Sequence, residues 1–182
     1  MEVAYTQPVI MINTFLNKIY LAMKTIEMKK ILIALDYDPT AQKVAETGFS
    51  LAKNMGATVI LLHVISDAAC YTPTENIKIM GFSGCKEIAP LPLDNVGLKK
   101  ISEQYLDKTK QHLGDKTIET TVKIGDIAES IVKTAKSQHV DFIVMGSHSR
   151  KWLENLVIGS VTEKVLHYTT IPVLIVPTRK LK

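Results

Sequence analysis

Four short apolar runs constrain this chain more than any other feature. They are Ile31-Leu32-Ile33-Ala34-Leu35, Val59 to Val64 (interrupted only by His63), Phe142 to Met145, and Val173 to Val176. A strand with one face in water alternates apolar and polar residues. A run without alternation buries both faces, as strands inside a parallel sheet do. Helical patterns separate the runs. Asp38-Pro39 is a helix start with Pro at the first helical position, and Ala41, Val44, Ala45, Ala52 and Met55 fall on one face before Gly56 ends the helix. Leu98, Ile101, Tyr105 and Leu113 mark a second helix, ended by Gly114. Asp126 with Glu129 is an N-cap signature, followed by Ile127, Ile131 and Ala135 on one face. Ser160 to Tyr168 reads as a last helix. Ile118 to Lys123 alternates and is more polar, so it is expected at a sheet edge.

The order is therefore β-α-β-α-β-α-β-α-β. It predicts an α/β fold, a five-stranded parallel doubly wound sheet with helices on both faces, reached by right-handed crossovers. In such sheets ligands bind beyond the carboxyl ends of the strands, where the winding reverses. Asp36, the residues after Val64, and Gly146 stand at such ends.

With 182 residues the chain holds one domain with a proper core. We expect that domain over 28–178, an N-terminal extension outside the core fold over 1–27, and a basic tail over 179–182. The extension lacks a basic leader and a cleavage site, and Lys18, Lys24 and Glu27 break up its apolar residues; a short helix from Ile12 to Met23 is the alternative. The segment from Ser66 to Gly97, rich in Pro and Gly, is long for a loop and is expected to be functional or mobile. The net charge of +4 is too small to argue for nucleic acid, and no membrane span is expected. Cys70 and Cys85 form neither a disulfide framework nor a zinc motif, which points to a cytoplasmic protein.

The chemistry concentrates between Gly146 and Ser160. The fourth strand runs directly into Gly146-Ser147-His148-Ser149, and after nine more residues Gly159-Ser160 opens a helix. Glycine permits positive φ and close approach to phosphate oxygens, and the free N–H groups of a helix start bind anions. Ser160 adds a hydroxyl. The competing explanation is purely structural, because Ser160 and Glu163 have the S-x-x-E spacing of a capping box.

The segment GSHSRKWLENLVIGSVTEKVL, the opening KKILIALD and the strand LLHVI together resemble the universal stress protein family, from Met28 to about Pro177. The resemblance implies an adenine-nucleotide alpha-hydrolase-like fold. Nucleotide-binding members carry G-x-x-G-x9-G-[ST], which this chain matches at Gly146, Gly159 and Ser160 and departs from at the second glycine, where Ser149 stands. If that position requires positive φ, a serine costs about 1 kcal/mol or more. The resemblance assigns Asp36 to the nucleoside, at a ribose hydroxyl, and Val64 to the adenine slot, with Ala34 and Met145 as walls. Gly146, Ser149, Gly159, Ser160 and Val161 would meet the phosphates. It implies ATP or a related adenine nucleotide as a regulatory ligand, with Mg²⁺ carried on the phosphate oxygens. It also implies a homodimer paired through Val173 to Val176. The alternative is a dimeric interaction module of the same fold that binds no nucleotide.

Other features have plainer readings. His63 is placed as a hydrogen-bonded structural histidine, and His112, His139 and His167 lack metal-ligand spacing. His148, Arg150 and Lys151 have the character of solvated loop residues, with phosphate contact as the alternative, and Trp152 that of a packing residue. Neither a G-x-S-x-G elbow nor a G-x-x-x-x-G-K-[ST] loop occurs. No catalytic residue is assigned, and at most slow ATP hydrolysis is expected.

Overall fold

A computed structural model describes residues 29–66, 95–147 and 159–178. The 1–27 extension, most of the Ser66–Gly97 segment, His148 to Trp152 (with Ser149) and the basic tail lie outside the described residues. Five strands, β1 (Lys30–Leu35), β2 (Thr58–Ile65), β3 (Glu119–Ile124), β4 (Phe142–Gly146) and β5 (Val173–Val176), form one sheet in the order β3-β2-β1-β4-β5. Every pairing is parallel. Helices α1 (Ala41–Met55), α2 (Asn95–Leu113), α3 (Ile127–Ser137) and α4 (Ser160–Tyr168) alternate with them. The winding reverses between β1 and β4.

Strand parity divides the core. Ile31, Ile33 and Leu35 of β1 and Val59 and Leu61 of β2 pack under Ala41, Val44 and Ala45 of α1 and Ile101, Tyr105 and Leu106 of α2. Leu32 of β1 and Ile60, Leu62 and Val64 of β2 pack on the other face with Ile143 and Met145 of β4, under Ile131, Val132 and Ala135 of α3 and Val165 of α4. Apolar runs buried on both sides are what this arrangement demands. Gly48 lets α1 sit close to the sheet, since a Cβ there would lie 2.7 Å from Ile33 Cδ1.

The polar strand is β3, at one edge. Gly56 and Gly114 end α1 and α2 with φ of 65° and 72°, a left-handed turn that a Cβ disfavours. One boundary differs from expectation. Asp38 does not open α1; its Oδ1 accepts from the Thr40 N–H and hydroxyl, and Thr40 is the N-cap. Asp38-Pro39 therefore form a turn, and the helix begins at Ala41, because a short acidic side chain can satisfy the N–H two residues on. Among the described residues no helix is long and apolar enough to cross a membrane.

Candidate functional site

Parallel register brings the predicted strand ends together. Ile33 pairs with Val144, so continuing the ladder sets Ala34 opposite Met145 and Leu35 opposite Gly146. Leu35 pairs with His63, which sets Asp36 opposite Val64. Ala34, Val64, Met145 and Val161 all belong to the layer beneath α3 and α4. Residues scattered over more than a hundred positions thus share one end of one face, next to the point where the winding reverses.

The start of α4 is the second part. Gly159 is buried and caps the helix with φ −59° and ψ 149°, and among the described residues no side chain caps it. Ser160 is therefore the first helical residue, and the alternative Ser160–Glu163 capping box does not form. Its hydroxyl sits one residue too late to cap, and Ser160 is exposed. The first intrahelical bond runs from Glu163 N–H to Gly159 O at 2.9 Å. The N–H groups of Ser160, Val161 and Thr162 consequently have no acceptor within the helix, and they stand where the dipole favours an anion. The φ of −59° means that Gly159 is not there for a left-handed backbone.

Thr162 fixes this helix start to the sheet. It is buried, and its Oγ1 donates to Gly146 O at 3.1 Å. Ser147 continues the clasp, its N–H donating to Val176 O at 3.0 Å and its Oγ accepting from Thr178 N–H at 3.2 Å. The backbone on either side of the Gly146–Gly159 loop is thereby held from two directions. Asp36 is exposed, and its Oδ1 accepts from Asp38 N–H at 3.1 Å.

A cleft of about 640 Å³ opens beside these residues, within the usual size of small-ligand sites. Ser160 and Val161 form one wall, and Ile124, Gly125, Asp126, Ile127 and Ala128 the other. Ser66, Asn95 and Lys164 complete it. Of the predicted site residues, the cleft takes in Ser160 and Val161. Asp36, Ala34, Val64, Met145, Gly146 and Gly159 lie at the strand ends and helix start but do not line this cleft.

The β3–α3 wall was not anticipated, although its signal was present. Gly125 precedes an N-cap at a strand end, and it has φ 138°, which side chains rarely adopt. Its N–H donates to Ile65 O at 2.9 Å, carrying the ladder one residue past β3. Asp126 Oδ1 then accepts from Glu129 N–H at 2.9 Å, the predicted cap. Asp126 Oδ2 lies 3.8 Å from Lys164 Nζ across the cleft, with both side chains at least half exposed. Such a bridge contributes at most about 1 kcal/mol.

His63 is buried behind β1, as expected of a structural histidine. Its Nδ1 lies 2.8 Å from Leu35 O, which can only accept, so Nδ1 carries the proton. Burial holds its pKa below the usual histidine value, against the opposing pull of the Leu35 carbonyl and the Asp36 charge. Among the described residues Nε2 has no hydrogen-bond partner.

The five-stranded parallel sheet with alternating helices is the α/β fold expected from the sequence resemblance. The family comparison decides it, matching residues 27–177 to the universal stress protein family. This chain belongs to the universal stress protein family. Universal stress protein MJ0577 of Methanocaldococcus jannaschii is 31% identical over 153 residues, covering 81% of this chain and 94% of that protein. Universal stress protein YxiE of Bacillus subtilis is 30% identical over 151 residues, covering 81% and 97%. The solved structure of MJ0577 superposes with a TM-score of 0.63 at 28% identity, covering 86% of this chain and all of that one. A universal stress protein solved in complex with cAMP shares the fold at 18% identity, with a TM-score of 0.56 over 84% of this chain and 98% of that one.

Proposed function

We propose that this universal stress protein binds ATP or a related adenine nucleotide as a regulatory ligand at the carboxyl end of its sheet. The observation that carries this reading is the start of α4. Gly159 is the N-cap, and among the described residues the Ser160 hydroxyl and three backbone N–H groups have no acceptor, which suits an anion. They stand beside a cleft lined in part by Ile124, Ile127 and Val161. Asp36 accepts from a sugar hydroxyl, Val64 with Ala34 and Met145 backs the nucleoside, and Gly146, Ser149, Gly159, Ser160 and Val161 meet the phosphates. Mg²⁺ enters on the phosphate oxygens. That a family relative was solved with cAMP supports the ligand class.

The ligand acts by being bound, not turned over. Its occupancy alters what the surface offers to partners in the cytoplasm. Pairing of two copies along β5 is part of this reading. That strand is a sheet edge whose Val173, Leu174 and Ile175 are only half-buried, and nearby Leu166 and Tyr168 are 41% and 54% exposed. The same apolar edge favours the second reading, a dimeric interaction module that needs no nucleotide.

Isothermal titration with ATP and Mg²⁺ separates the two, with sedimentation equilibrium for the dimer. Binding by the parent protein, weakened by Gly159→Ala and strengthened by Ser149→Gly, is expected. No heat from the parent protein refutes the nucleotide reading and leaves the interaction module.

A further inference from the structure

Three successive residues leaving β1 are each held from the side of α1 and α2. Leu35 O accepts from His63 Nδ1–H at 2.8 Å. Asp36 O accepts from the Tyr105 hydroxyl at 2.8 Å. The Tyr37 hydroxyl meets Ser102 Oγ at 2.6 Å, and since Ser102 donates onward to Leu98 O, the tyrosine is the donor. The rings close the cluster, with centroids 4.2 Å apart for Tyr37 and His63, 5.3 Å for Tyr37 and Tyr105, and 6.0 Å for His63 and Tyr105. His63, Ser102 and Tyr105 are essentially buried.

This is an expensive way to fill a core. A buried hydroxyl or imidazole costs stability unless it is hydrogen-bonded, and Phe or Leu would supply the same packing. The hydroxyl and the imidazole are spent on the backbone carbonyls at and just before Asp36. Fixing those two carbonyls fixes the planes of the peptides on both sides of Asp36, and with them the direction of its Cα–Cβ bond. The carboxylate is held further by Asp38 N–H on Oδ1, and among the described residues Oδ2 takes no hydrogen bond.

We infer that Tyr105 and His63 are positioning residues that aim the Asp36 carboxylate, and that they thereby set how strongly the site selects for a sugar with free hydroxyls. The inference rests on the nucleotide reading above. It places a determinant of sugar selectivity in β2 and α2, on the face of the sheet opposite the cleft. Preorganisation is the physical reason. A carboxylate already aimed gains the full hydrogen bond from the sugar, whereas a wandering one gives up part of it in ordering.

The test compares ATP with 2′,3′-dideoxy-ATP on the full chain, by titration, in the parent, Tyr105→Phe and Asp36→Ala proteins. The parent is expected to prefer ATP by about 10- to 100-fold, the range for a hydrogen bond to a charged group. Asp36→Ala brings that ratio close to one. Tyr105→Phe, which keeps the ring, reduces the ratio by ~3-fold or more while leaving dideoxy-ATP affinity unchanged. Equal weakening of both ligands, or an unchanged ratio, overturns the inference, because a merely structural tyrosine gives one or the other. A parent that binds both ligands equally overturns the inference and leaves nucleotide binding standing. A parent that binds neither refutes nucleotide binding and sugar selection together. The aiming role is then judged without ligand, from the Asp38 amide resonance. It moves in Tyr105→Phe but not in Thr47→Val, whose lost hydroxyl bonds only to Lys43 O within α1. An unmoved resonance overturns the aiming role too.

Discussion

Replacing Thr162 tests whether the sheet-to-helix tie serves the fold, the site or both. The Thr162 hydroxyl donates to Gly146 O at 3.1 Å from a buried position. Thr162→Val keeps the shape but removes the donor and leaves the Gly146 carbonyl without this partner. The net worth of such a bond is about 1 kcal/mol, rising toward 2 when the abandoned acceptor is shielded from water. For a domain of this size that is a fall in Tm of about 2–8 °C. Thr162→Ser keeps the donor but deletes a buried methyl, a loss of about 0.8 kcal/mol. The two variants are thus similar in stability, as urea midpoints will show. They differ in the site. Without the tie, the first turn of α4 loosens against β4 and part of the helix–anion attraction is lost. At about 0.5–1 kcal/mol, that weakens nucleotide binding by roughly 2- to 5-fold in Thr162→Val. Thr162→Ser should bind as the parent does. The reasoning fails if the valine variant binds normally, or if both variants weaken alike.

Asp126→Ala should cost about 1 kcal/mol by removing the cap on α3, whereas Asp126→Asn retains most of it, because Asn caps nearly as well. Lys164→Met then gauges the exposed bridge, and a loss of more than about 0.5 kcal/mol in urea would contradict the assignment of Asp126 as chiefly a cap. His63 makes stability depend on acid. Its folded pKa lies below the unfolded value near 6.5, so the unfolded chain binds the extra proton first. The contribution is fully present above about pH 6.5 and declines as pH falls toward the folded pKa, by at most about 1.4 kcal/mol per unit. His63→Gln should flatten the urea midpoint between pH 7.5 and 5.5; an unchanged slope would assign the effect to another group.

The Gly146 to Ser160 region shows where reading the sequence succeeds and stops. Its two flanking elements and the exact Gly159-Ser160 position followed from apolar runs and a spaced motif. The role of Ser160 did not, because a capping box and a ligand hydroxyl share one sequence pattern. The backbone angles at Gly159 make that residue the N-cap and so remove the capping box, which sequence spacing alone could not do. Asp126 with Glu129 was legible because its bond spans three residues. The same kind of reasoning misplaced the start of α1, since Asp38 turned on Thr40 instead.

By itself the sequence determined the order of elements, the parallel sheet with two buried faces, the polar edge strand and the residues that would meet at the strand ends. These depend on local periodicity and on the few topologies that right-handed crossovers allow. The tertiary structure alone decided that Ile124 to Ala128 and Lys164 wall the cleft and that Thr162 ties α4 to β4. It also decided that Tyr105 holds Asp36 from 69 residues away. Such contacts join positions far apart in the chain, and no periodicity or spacing encodes which buried hydroxyl finds which carbonyl. That pairing is fixed only when the crossovers have packed both faces of the sheet.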